Sequence, residues 1–148
     1  MTSIVRFAGK YRFLSNFYSS EVEYEGEVWP TVEHAYQAAK NSDPEYRKWM
    51  REAETPAAAK KLGANTQLRK DWEDVKVAIM ADLVSQKFNK HPDLTKALLS
   101  TEDAHLIEGN NWGDRFWGVC NGTGENWLGK ILMNVRRDLK KDAASEAA

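Results

Sequence analysis

At 148 residues, with 21 basic and 22 acidic side chains and 42% hydrophobic residues, the chain has the size and balance of one ordinary globular domain. That balance excludes disorder and a dominant polyelectrolyte partner. One cysteine, Cys120, excludes an internal disulfide. The three histidines, His34, His91 and His105, lack metal-site spacing. The expected location is the cytoplasm, with no membrane association and no required protein partner, metal or cofactor.

From Ile4 to Trp29 the aromatic and β-branched content predicts short strands, with a hairpin turning at Glu25-Gly26. Thr31 is an N-cap for a helix over 32–41. Asp43-Pro44 opens a second helix over 44–54, and Thr55-Pro56 a third that Gly63 ends. Residues 71–88 read as the main amphipathic helix, with Trp72, Val75, Ile79, Leu83 and either Met80 or Val84 on one stripe. His91-Pro92 begins a short helix, and a strand is expected at 105–108. Six of the nine glycines then fall between Gly109 and Gly129, among Trp112, Asp114, Phe116, Trp117 and Asn126, in what reads as a functional loop. The last helix is expected over 127–139, with residues 141–148 as a frayed tail outside a domain of residues 1–140. The fold class is α+β and mainly helical, in a single compact domain with short N-terminal strands and a Gly-rich active-site loop.

Two places carry candidate chemistry. Glu33 lies in the first turn of its helix, and Lys40, seven residues on, falls within ~20° of it around the axis, with Tyr36 and Gln37 on the same face. Glu33 would serve as base or oxocarbenium stabiliser and Lys40 as amine nucleophile or cation. The other reading has Glu33 complementing the helix dipole and Lys40 solvated. In the loop, Asp114 is either a second acid beside Glu33 or the former of an Asx turn. Trp112, Phe116 and Trp117 either stack on a base or fill a core. Gly122-Thr123-Gly124 either offers a phosphate nest before the last helix or makes tight turns. Gly124 to Lys130 begins like a nucleotide phosphate loop but has Ile131 where a hydroxyl is required, which excludes that reading.

Four segments in order, Phe13-Leu-Ser15-Asn16-Phe17, Trp29 to Lys40, Leu68 to Trp72, and Asn111 to Asp114 with Gly124 to Arg136, resemble the YbiA/NADAR family over nearly the whole chain. The resemblance implies hydrolysis of N-glycosidic bonds between ribose and an amine. Carried over residue by residue, it makes Glu33 the catalytic carboxylate, Lys40 the helix lysine, and Trp112 and Asp114 the loop tryptophan and aspartate. Ser15, Asn16, Phe17 and Asn126 would shape the sugar and phosphate site. The substrates implied are ADP-ribose on the guanine amino group in nucleic acid, which the loop's aromatic content favours, or the ribosylamino-pyrimidine phosphates of riboflavin synthesis. A non-catalytic ADP-ribose or nucleotide binder is the alternative from another class.

Overall fold

The computed structural model describes residues 2–147 and divides into two compact units, Asn16–Lys87 on one hand and the residues up to Ser15 together with those from Phe88 on the other. The architecture is α+β and mainly helical, with few and short strands. Where strands were expected between Ile4 and Trp29, only β1 (Ser3–Ile4), β2 (Val22–Tyr24) and β3 (Glu27–Trp29) form, and Gly9–Leu14 is a 3-10 helix instead.

In the Asn16–Lys87 unit, β2 and β3 pair antiparallel, Val22 opposite Trp29. Glu25 and Gly26 both have positive φ, the two-residue turn whose twist matches a hairpin. Three capped helices follow: α1 (Val32–Ala39), α2 (Pro44–Glu52) and α3 (Pro56–Gly63). The Thr31 side chain accepts from the His34 N–H, Asp43 from Glu45 and Thr55 from Ala58, and proline opens both α2 and α3. All of α1 is buried, packed by α2, α3 and both strands. Ala35, Ala38 and Ala39 let those neighbours approach closely.

The long helix α4 (Trp72–Lys90) buries Trp72, Met80, Leu83 and Val84. Both residues proposed for its alternate position are therefore buried, whereas Val75 and Ile79 are only half-buried. The unit boundary falls within α4, after Lys87.

In the other unit, α5 (Pro92–Leu99) packs on the 3-10 helix, and β4 (His105–Leu106) pairs parallel with β1. Phe13 meets Phe88 edge-on, at 6.4 Å between ring centroids. The expected strand thus stops short of Glu108. β5 (Gly109–Asn110) pairs parallel with β6 (Val119–Cys120), and α6 (Trp127–Ala147) packs on β4 and α5 through Leu128, Ile131 and Leu132. α6 runs well past the expected Leu139, through the segment assigned to the tail.

Candidate functional site

The polar residues of α1 are buried with their helix. Glu33 is 7% exposed, and one of its carboxylate oxygens accepts a 2.6 Å bond from Gln37 Nε2, one turn along. The Glu33 backbone N–H donates to the Asn16 carbonyl at 3.1 Å, which fixes the chain entering the helix. Asn16 itself is buried, its Nδ2 on the Met80 sulfur at 3.4 Å. The side-chain oxygens of Asn16 and Gln37 meet no hydrogen-bond donor among the described residues. Each such orphan acceptor costs roughly 1–3 kcal/mol, a cost that folding alone gives no reason to keep.

Lys40 follows α1 as its C-cap, with its ammonium 5.7 Å from the centre of the Tyr36 ring. Burial holds its pKa below the usual lysine value, the nearby Glu33 carboxylate opposes that shift, and the charges of Lys60 and Lys76 add to it. Lys60 in turn lies 6.0 Å from the Phe17 ring. Glu33 and Lys40 thus sense one another, as their spacing on the helix face requires.

Tyr36 is buried and packs on Trp72 at 5.1 Å. The Lys40 carbonyl accepts from the Arg69 N–H, while the Arg69 guanidinium grips both oxygens of Asp71 and reaches the Tyr24 hydroxyl. The Leu68 to Trp72 segment therefore ties the approach to α4 onto the end of α1. His34 is a second tie: its Nε2 donates to the Ala53 carbonyl at 2.9 Å and its Nδ1 lies 2.8 Å from Thr31 Oγ1.

The Gly-rich loop is organised differently. β5 and β6 run parallel with only residues 111–118 between them, too short a connection for a crossover helix. The loop backbone must therefore find partners elsewhere, and the polar side chains supply them. Asp114 accepts from the N–H groups of Phe116 and Trp117 through Oδ1, and Asn110 bonds both the N–H and the carbonyl of Asp114. Asn126, with φ at +56°, accepts from the Glu108 N–H and donates to the Leu106 carbonyl.

The observed bonds of Asp114 are those of an Asx turn. Asn126, expected at the sugar and phosphate site, braces β4 and the loop through both ends of its side-chain amide.

Gly122 belongs to a tight turn in which Asn121 and Gly122 both have positive φ, while Cys120 and Thr123 exchange backbone bonds. The N–H groups of Thr123, Glu125, Asn126, Trp127 and Leu128 all donate to loop carbonyls, so Thr123, the middle residue of the expected phosphate nest, has its N–H engaged within the turn. Gly124 is there for close packing, since a Cβ would lie 2.1 Å from the Gly118 carbonyl.

Phe116 packs against Trp117 (4.8 Å) and Trp127 (6.1 Å), whereas Trp112 is 59% exposed. Ser15 caps the 3-10 helix, its N–H donating to the Arg12 carbonyl. Sequence reasoning passed over Lys87, which is 1% exposed on α4 and has its pKa pulled down to about 7 by burial. A lysine three positions after Val84 on an apolar stripe was the available signal. Among the described residues no three of His, Cys, Asp and Glu gather as metal ligands, and no helix is long and apolar enough to cross a membrane.

α1 thus brings a buried carboxylate, Glu33, within electrostatic reach of a lysine, Lys40. The chain matches the NADAR domain family over residues 6–140. It is 39% identical over 132 residues to the N-glycosidase YbiA of Shigella flexneri, covering 87% of this chain and 82% of that one. It is 40% identical over 134 residues to a riboflavin biosynthesis protein of Vibrio vulnificus, covering 88% of this chain and 36% of that longer one. The NMR structure of the E. coli protein YbiA superposes with a TM-score of 0.84 at 35% identity, over 97% of this chain and 89% of that one. The chain belongs to the NADAR domain family and is a hydrolase acting on N-glycosyl bonds.

Proposed function

We propose that this hydrolase, acting through residues 1–140 in the cytoplasm, cleaves the bond between a ribose anomeric carbon and an exocyclic amine, with Glu33 as the essential carboxylate. The observation that carries the proposal is the Glu33 carboxylate, buried on α1, held by Gln37 and electrostatically coupled to Lys40. In the reaction the C1–N bond breaks, its electron pair leaves with the nitrogen, which takes a proton, and water adds its oxygen to C1. Glu33 stabilises the positive charge that develops on the sugar. On the alternative path the ring opens to an imine at C1, the Lys40 amine adds to that carbon, the exocyclic amine leaves with a proton, and water hydrolyses the lysine imine to release the sugar and regenerate Lys40.

The substrate we favour is a ribosylamino-pyrimidine phosphate. A relative bears a riboflavin-biosynthesis name, which supports this choice. With the Thr123 N–H turned to the Cys120 carbonyl, the Gly122-to-Gly124 nest has one donor fewer to offer a pyrophosphate. ADP-ribose on the guanine amino group is the second reading, the one that the aromatic content of the Gly-rich loop favours in the sequence.

Glu33→Gln tests the assignment. Turnover should fall by about a thousandfold, or ~4 kcal/mol in the barrier, with the circular dichroism spectrum unchanged. A folded variant within about threefold of the parent rate would refute it. Comparing kcat/KM on the two substrates at equal salt separates the readings. A tenfold preference for the ADP-ribosylated guanine oligonucleotide, about 1.4 kcal/mol, would reverse the choice.

A further inference from the structure

We infer that Gln37 is a positioning residue for the Glu33 carboxylate rather than a substrate contact, and that Gly63 is present to give its amide the space to do so. The inference rests on Glu33 being the essential carboxylate. Gln37 is 4% exposed, with Nε2 2.6 Å from Glu33 Oε2. Its backbone carbonyl accepts from the Tyr46 hydroxyl at 2.7 Å, so α2 fixes the residue at its root. Its amide oxygen meets no donor among the described residues and lies against Gly63 at the end of α3.

Gly63 ends α3 without a positive φ, so the left-handed turn that usually explains a terminal glycine is not the reason for it. Space is the reason. A Cβ at Gly63 would lie 2.1 Å from Gln37 Oε1 and 2.9 Å from its Cδ. The orientation of the amide follows from chemistry: turned over, Gln37 would present its oxygen to a carboxylate oxygen, two acceptors face to face. With the N–H aimed at Glu33, the oxygen is left on the glycine Cα, and the only gain from that arrangement is a carboxylate held in one rotamer by a charge-assisted bond. α3, which supplies no carboxylate, thereby sets the aim of Glu33 through one missing methyl group.

The test uses the full chain carrying Gly63→Ala, Gln37→Ala and both together, assayed on a ribosylamino-pyrimidine phosphate and on an ADP-ribosylated guanine oligonucleotide. Each single variant should lose about tenfold or more in kcat with KM within about twofold, because the aim of the carboxylate changes and ground-state binding does not. The double variant should be no slower than Gln37→Ala, since without the amide the new methyl meets only the Tyr46 hydroxyl, 3.1 Å away. In nitrogen–proton spectra, the Gln37 side-chain amide signal should move in Gly63→Ala and again in Glu33→Gln, a readout that needs no substrate.

A Gly63→Ala enzyme within about threefold of the parent kcat overturns the inference. So does a double variant whose loss is the product of the two single losses, or a Gln37→Ala whose loss lies in KM. Should Gly63→Ala not fold, Gln37→Leu, similar in shape but without the N–H, must show the same kcat loss. Full activity in Glu33→Gln would sink the proposed function itself. A dead Glu33→Gln beside fully active Gln37 and Gly63 variants would sink only this inference.

Discussion

α1 and the 109–126 loop hold comparable sets of polar side chains, yet use them in opposite ways. In α1 the backbone is satisfied by the helix, so Glu33 and Gln37 are left to bond each other, and the Gln37 amide oxygen meets no donor among the described residues. In the loop the backbone has only two-residue ladders on which to pair, so Asn110, Asp114 and Asn126 are drawn into serving main-chain groups. The Asp114 carboxylate thus serves two backbone N–H groups through Oδ1, whereas the Glu33 carboxylate is held by a side chain of its own helix. Variants in the loop should change stability more than turnover, and variants in α1 the reverse.

The largest expected effect is that of Asn126→Ala. It leaves the Glu108 N–H and the Leu106 carbonyl without partners and forces alanine into a left-handed backbone, for a loss of roughly 2–5 kcal/mol. Denaturant melts should show that loss. A stability within 1 kcal/mol of the parent, on the order of a surface change, would break the comparison.

Lys87 extends the comparison to a second helix. Its amine lies 5.5 Å from the Tyr18 ring and is buried, with a pKa lowered from 10.5 to about 7. Between those values the unfolded chain binds a proton that the folded chain does not, so this residue's contribution to stability is fully present above pH 10.5 and is lost as the pH falls through about 7. Lys87→Met should raise stability at pH 6 by a few kcal/mol, at about 1.4 per pKa unit, and the gain should shrink toward pH 10. Melting curves across that range give the answer, and a gain independent of pH would show that charge is not the cause.

Asp114→Ala should cost about 1–2 kcal/mol through two lost caps, whereas Asp114→Asn, which keeps the accepting oxygen, should cost little. Their rates sharpen the contrast further. If Asp114→Asn is stable but a hundredfold slower, Asp114 is the second acid that its place beside Trp112 suggested, and the loop is more than scaffold. Trp112→Ala, at an exposed position, should change stability by less than about 0.5 kcal/mol. A loss confined to the ADP-ribosylated substrate would identify its face as the base platform.

Much of this was readable along the chain. The caps at Thr31, Asp43 and Thr55, the prolines after two of them, and the Glu25-Gly26 hairpin are local devices whose physics lies within four residues, and the helices start where those devices stand. The Glu33 and Lys40 spacing was equally legible, because helical geometry alone puts them on one face. Less legible was the N-terminal segment, where aromatic and β-branched content called for strands and the chain instead forms a 3-10 helix over Gly9–Leu14. Propensity there yields to packing, as it does wherever short segments have no pairing partner.

What the sequence by itself determined about this protein is its family, the order and starts of its helices, and the acid and amine that share a helix face. Tertiary structure alone decided which polar side chains serve the backbone and which meet other side chains. It took Asp114 and Asn126 into the loop's backbone, buried Lys87, and set Gly63 of α3 against the amide of Gln37. The physical reason is that a hydrogen bond to a backbone group or a missing methyl depends on what lies across space, and residue type and spacing carry no record of that neighbour.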